Sequence, residues 1–162
     1  MKVVSNTSPL INLAWIGQFG LLRELYSEID IPTAVWREIV VEGAGQPGAK
    51  EVSAAPWINI RAVENQNLVL ALHRELEPGE SEAIALSIEQ KADLLLMDER
   101  LGRQTAQYFG LNYTGLIGIL IEAKHKGLIT SIKKYLDDLI ERVGFRISRR
   151  LYLKILQDHG EV

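Results

Sequence analysis

Residues Asp93-Leu94-Leu95-Leu96-Met97-Asp98 set four consecutive apolar side chains between two carboxylates. A strand turns successive side chains to opposite faces, so an unbroken apolar run needs cover on both sides. Such runs belong to the interior of parallel sheets, whose crossover connections lay helices over both faces. The rest of the chain agrees with that demand. Lys2–Ser5, Ile29–Ile31, Trp57–Val63 and Leu111–Thr114 read as further short strands, and helical patterns lie between them. The expected fold is α/β: a three-layer α/β/α sandwich around a central, mostly parallel sheet. At 162 residues, the chain fits one domain spanning 1–162, with helices at about 131–157 as a C-terminal extension.

The spacing predicts helices from Ser8, over Phe19–Tyr26, Thr33–Val41, Asn67–Glu75, Glu80–Lys91, Leu101–Phe109, Gly115–Lys126, Ser131–Val143 and Ser148–Gln157. Ser8-Pro9 reads as an N-cap followed by proline at the first helical position. Glu42–Ala49, rich in glycine and broken by Pro47, reads as an exposed loop inside the domain. Leu151, Leu153, Ile155 and Leu156 give the last helix an apolar stretch that can pack on the domain or on a partner.

Several chemistries are excluded. The chain has no cysteine, which removes disulfides, cysteine–zinc sites, iron–sulfur clusters and a thiol nucleophile. His73, His125 and His159 are scattered without metal-ligand spacing. No G-x-x-x-x-G-K-[ST], G-x-G-x-x-G or G-x-S-x-G motif occurs. The N-terminus lacks the long apolar segment of a signal peptide, and no apolar run is long enough to span a bilayer. The expected setting is the cytoplasm, with no membrane contact.

In a parallel sheet, ligands sit outside the carboxyl ends of the strands. Asp98 directly follows the most apolar strand, where it suits either a site or the N-cap of the helix from Leu101. Asn6 holds the matching position after the first strand. Glu38 borders the apolar stripe of Thr33–Val41. Glu82 flanks Ala83-Ile84 near a helix start, and helix-dipole compensation is enough to explain Glu80 two residues earlier. Three carboxylates and one amide thus come from four segments toward one end of a sheet. Two carboxylates about 4 Å apart repel by roughly 4 kcal/mol at an effective dielectric near 20. Such a group takes up protons or binds a cation, and hard oxygen donors favour Mg²⁺ or Mn²⁺. An open site of that kind suits phosphodiester hydrolysis.

The segments VVSNTSPLI, IPTAVWREI, EPGESEAIAL, ADLLLMDERLGR and GLIGILIEAKHKGLI resemble, in this order, the PIN-domain superfamily. They are most similar to a prokaryotic PIN-like subgroup related to the toxin ribonucleases of VapBC-type toxin–antitoxin pairs. The likeness runs to about Val143. It implies a small α/β/α sandwich and a ribonuclease dependent on Mg²⁺ or Mn²⁺. By this resemblance, the family acids fall on Asn6, Glu38, Glu82 and Asp98 as metal-binding and catalytic positions, and Ser8 takes the supporting hydroxyl. Arg100 and Arg103, next to Asp98, would contact phosphates of an RNA substrate. A homodimer and an antitoxin protein are the implied partners. Asn6 departs from the family pattern: an amide ligates through its carbonyl oxygen but brings no charge. A catalytically weakened or inactive RNA- or protein-binding module on the same fold is the alternative.

The formal net charge of −3 first argues against a nucleic-acid partner, yet it is the sum of two opposed regions. Residues 1–99 carry 7 Lys and Arg against 15 Asp and Glu, a balance of −8. Residues 100–162 carry 11 against 6, a balance of +5. The acids lie in the first region. Lys124, Lys126, Lys133, Lys134, Arg146, Arg149 and Arg150 lie in the second, as phosphate contacts or as solvated helix faces.

Overall fold

The structure, a computed structural model, describes residues 1–162. Five strands form one sheet: β1 (Val3–Ser5), β2 (Ile29–Pro32), β3 (Ile58–Arg61), β4 (Leu94–Leu96) and β5 (Tyr113–Thr114). Their order is β3-β2-β1-β4-β5, and every pairing is parallel. The helices are α1 (Thr7–Trp15), α2 (Gly20–Tyr26), α3 (Thr33–Trp36), α4 (Ala49–Ala54), α5 (Gln66–Leu72), α6 (Pro78–Glu89), α7 (Arg100–Tyr108), α8 (Leu116–His125), α9 (Ile132–Asp138) and α10 (Arg149–Asp158). Two of them widen into π-helical turns, α3 over Arg37–Glu42 and α9 over Leu139–Val143.

The apolar run at β4 does what its pattern demands. Leu94 and Leu96 pack into one core with Val3, Ile29, Ile31 and apolar residues of α1, α2, α8 and α9. Leu95 and Met97 pack into a second core with Val4 and apolar residues of α6 and α7. Alternation along β1 and β4 therefore feeds two cores on opposite faces, giving the three-layer α/β/α sandwich. From β1 the chain builds β2 and β3 on one side, then crosses to place β4 on the other. The reversal point lies between the carboxyl ends of β1 and β4, where open α/β sheets form their crevice.

Local differences from the sequence reading have local causes. The helix after β1 starts at Thr7, so Asn6 stands at the N-cap and Pro9 is buried within the first turn. Short α4 follows the glycine-rich loop; only Ala49 and Val52 are buried, too few to show a helical period. In α10, Ile155 and Leu156 are buried, while Leu151 and Leu153 stay 43% and 40% exposed. No helix is long and apolar enough to cross a membrane.

Candidate active site

A cleft of about 280 Å³ opens at the carboxyl end of β1. Asn6, Thr7 and Ser8 form one wall, and Glu38, Glu77, Glu80 and Glu99 bring carboxylates from three other segments. Asn6 is only 2% exposed. Its backbone N–H donates to the Leu96 carbonyl, extending the β1–β4 ladder by one bond and fixing the side chain at the sheet end. Its Nδ2 donates to Glu99 Oε2 at 3.0 Å and lies 3.3 Å from Met97 Sδ. Its Oδ1 is buried without a hydrogen-bond partner, and so is Ser8 Oγ. Two orphaned oxygens at the cleft wall are the expected mark of a place that water or a cation completes.

Glu38 is held from two sides. Thr7 Oγ1 donates to its Oε1 at 2.5 Å, and the Gly79 N–H donates to its Oε2 at 2.8 Å. The second bond places Glu38 at the amino end of α6, where a carboxylate meets unsatisfied N–H groups. Gly79 lets the carboxylate come this close, because a Cβ would lie 2.5 Å from Glu38 Oε1 and push the side chain aside.

Glu80, and not Glu82, turns into the cleft. Helix α6 begins at Pro78, so Glu80 is its third residue and its Oε1 accepts the Glu77 N–H at 2.9 Å in a capping box. It is 7% exposed. Burial raises its carboxyl above the usual range; the Glu77 amide opposes that, and the charges of Glu99, Glu77 and Glu38 add to it. Glu82 sits two residues on, about 200° around the helix, and faces α3. Its Oε1 accepts the Ala34 N–H at 3.0 Å, so it does not reach the cleft. The signal for Glu80 was Glu77-Pro78-Gly79-Glu80, a proline-opened helix with an acid at the third position.

Asp98 and Glu99 part company at the end of β4. Glu99 turns into the acid cleft, whereas Asp98 turns into a second pocket with Arg103. Both Asp98 oxygens lie within reach of the Leu116 N–H, at 3.1 and 3.3 Å, so Asp98 caps α8 rather than α7. Burial pushes its carboxyl up to about 6, opposed by the Leu116 amide; Glu99 adds to the rise and Arg103 counters it. Gly115 closes over this carboxylate, and a Cβ there would collide with Oδ1. Glu99 follows from the alternation of side chains past a strand end, which sends neighbours to opposite sides. Arg100 is exposed at the first position of α7.

The acid cleft thus gathers Asn6, Ser8 and Glu38 with Glu77, Glu80 and Glu99, and leaves out Glu82 and Asp98. No three acidic or histidine side chains are set around a common point as a finished metal cage. The donors are nonetheless all oxygen, the carboxylates exceed the nearby cations, and Asn6 Oδ1 has no other partner. In kind, that set fits a hard divalent cation.

A family model described as a PIN domain matches residues 2–161. The chain belongs to the PIN-domain family. That is a nuclease-type fold, and the all-parallel sheet with acids at its carboxyl edge agrees with it. Among solved structures, a PilT N-terminus domain protein from the hyperthermophilic archaeon Sulfolobus solfataricus is similar at 20% identity, with a TM-score of 0.57. The likeness covers 76% of this PIN-domain chain and 93% of the archaeal one, and it is a likeness of fold. Comparison with curated proteins gives no match.

Proposed function

We propose that this PIN-domain protein is a metal-dependent ribonuclease whose working site is the acid cleft at the end of β1. The observation that carries this reading is the buried, unpartnered Oδ1 of Asn6 beside Glu38, Glu80 and Glu99 in a chain of a nuclease family. A bound Mg²⁺ or Mn²⁺ supplies charge neutralisation for the phosphate and a more acidic water. Asn6 Oδ1, Glu38, Glu80 and Glu99 are the residues that would hold it. Thr7 and Gly79 keep Glu38 aimed into the cleft, and the Glu77 amide does the same for Glu80. Ser8 Oγ offers a hydrogen bond to a cleft water or to a phosphate oxygen. Arg103 stands across the Asp98–Glu99 ridge and supplies positive charge for the substrate. A role as the toxin of a toxin–antitoxin pair, with an antitoxin partner and a homodimeric state, fits the same reading.

A second reading has its own observation. Asn6 donates its amide to Glu99, a bond that an aspartate could not make, and so relieves part of the repulsion that a cation would otherwise relieve. On this reading the site is catalytically weak and the protein binds RNA or a protein without cleaving. Cleavage of single-stranded RNA with Mn²⁺ separates the two. A ribonuclease loses activity at least a hundredfold in Glu80→Gln and Glu38→Gln. If the parent is inert and Asn6→Asp gains Mn²⁺-dependent cleavage, the second reading stands.

A further inference from the structure

The second pocket, about 440 Å³, lies where α8, the start of α10 and the end of β4 meet. Arg103 and Arg146 line it together with Asp98, Phe145 and Leu151. Neither arginine pairs with a carboxylate; the one arginine ion pair in the protein is Arg61 with Asp30. Arg103 instead stands over the Tyr113 ring, 5.7 Å from its centroid. The lone carboxylate of the pocket, Asp98, accepts the Leu116 N–H and lies within the field of Arg103; the balance of this space is positive because the two arginines outnumber it. Phe145, half-buried against the core, contributes to the wall. Two guanidinium groups without a carboxylate partner beside an aromatic side chain have the makings of a nucleotide site: the forks suit phosphate oxygens, and the part of the Phe145 ring that the core leaves uncovered suits contact with a base.

The place of this pocket matters as much as its lining. Asp98 faces it and Glu99 faces the acid cleft, so two consecutive residues separate the two compartments. A strand crossing that ridge puts one phosphate over the acids and a neighbouring nucleotide in the basic pocket. We propose that the Arg103–Arg146–Phe145 pocket is a subsite for a nucleotide of single-stranded RNA, next to the one cleaved. This rests on the ribonuclease reading for the identity of the strand. A stacking wall needs an unpaired base, which selects single strands over duplex.

The test is fluorescence anisotropy with a labelled 12-nucleotide RNA, the matching DNA and an RNA hairpin, in EDTA so that cleavage plays no part. The expected result is single-stranded binding by the parent. Arg103→Ala with Arg146→Ala weakens it at least tenfold and lowers the slope of log affinity against log salt by about 1.4, at ~0.7 per phosphate contact. Phe145→Leu, which keeps apolar volume at that position, weakens binding about tenfold with the salt slope unchanged. Lys154→Ala, a charge removed from α10 at a residue paired with Asp158, leaves binding as in the parent. The proposal is overturned if the double variant binds within twofold of the parent, if Lys154→Ala loses as much, if the hairpin is preferred, or if DNA binds better than RNA. A parent that binds but never cleaves with Mn²⁺ removes the catalytic reading alone. An enzyme that cleaves with unchanged KM in the double variant removes the subsite alone.

Discussion

Gly79 carries the Glu38 carboxylate against its backbone, with Oε1 and Oε2 at 2.5 and 2.8 Å from where a Cβ would stand. Gly79→Ala forces Glu38 off the α6 amide. The Glu38 carboxylate end can swing aside, so the main loss is the Gly79 N–H bond to it, worth about 1 kcal/mol, and urea denaturation should show a loss of that order while any Mn²⁺-dependent cleavage of the proposed RNA substrate falls. Asp98 allows a prediction with a definite sign. Its carboxyl titrates near 6 in the folded chain and near 3.8 as a free side chain, so the folded state holds the proton more tightly. Stability from this group is present at low pH and falls as pH rises from about 4 to about 6, a total of about 3 kcal/mol. Asp98→Asn keeps an acceptor for Leu116 and removes the charge. Its melting temperature should exceed that of the parent at pH 7.5 and approach it near pH 4; an equal difference at both would sink the assignment. At this scale the sequence was legible only in part. Asn6 and Glu38 stand out from a strand end and a helix stripe, whereas Ser8 reads locally as an N-cap and enters the site only through the family resemblance. The choice between Glu80 and Glu82 turned on which residue opens α6, and a two-residue difference there rotates a side chain to the other side of the helix.

The C-terminal elements are tied by Glu161. Its carboxylate accepts the Ile132 and Lys133 N–H groups at 2.7 and 2.9 Å, and the Ser131 hydroxyl at 3.0 Å. Lys124 Nζ lies 2.7 Å away and donates to it from α8. One side chain therefore caps α9, joins α8 and anchors the end of α10. Burial works against its charge, but the bonds from Lys124, Lys133, Ile132 and Ser131 prevail and hold its carboxyl near 2. The sign is opposite to that of Asp98. Folded Glu161 resists protonation, so its contribution is complete above about pH 4.5 and is lost as pH falls toward 2. Glu161→Ala should speed hydrogen exchange at the Ile132 and Lys133 amides and lower the melting temperature at pH 7, with the difference closing toward pH 2. Unchanged exchange at those amides would remove the clasp. No sequence pattern announces it, because the partners lie 28 to 37 residues away and pair by no period. Strands and helices announced themselves because burial repeats every two or 3.6 residues. The π-helical turns at Arg37–Glu42 and Leu139–Val143 keep the apolar spacing of an ordinary helix, so they read as one.

At the scale of the whole molecule, the split of charge becomes spatial. The acids of residues 1–99 supply the cleft, the arginines of residues 100–162 supply the pocket beyond Asp98, and the ridge at the end of β4 divides them. The order of strands explains why this arises from a sequence with a modest net charge. Reversal between β1 and β4 brings residues 6 and 99 together, although 93 positions separate them. A cluster of like charges held by a fold is a cost that a cation relieves, so metal binding should register as stability even before catalysis is considered. A ligand that binds only the folded chain adds about 2.7 kcal/mol at one hundred times its dissociation constant. For a chain of this length, that corresponds to a rise of roughly 5–10 °C in melting temperature. Mn²⁺ or Mg²⁺ in calorimetry should raise the transition of the parent. Glu38→Gln and Glu80→Gln should abolish that rise, while Glu82→Gln, whose carboxylate faces Ala34, should retain it. Asn6→Asp should enlarge it, because it restores a negative charge at the wall where Oδ1 stands without a partner. An equal rise in the parent and in Glu80→Gln would place the cation elsewhere and take the acid cleft out of the chemistry.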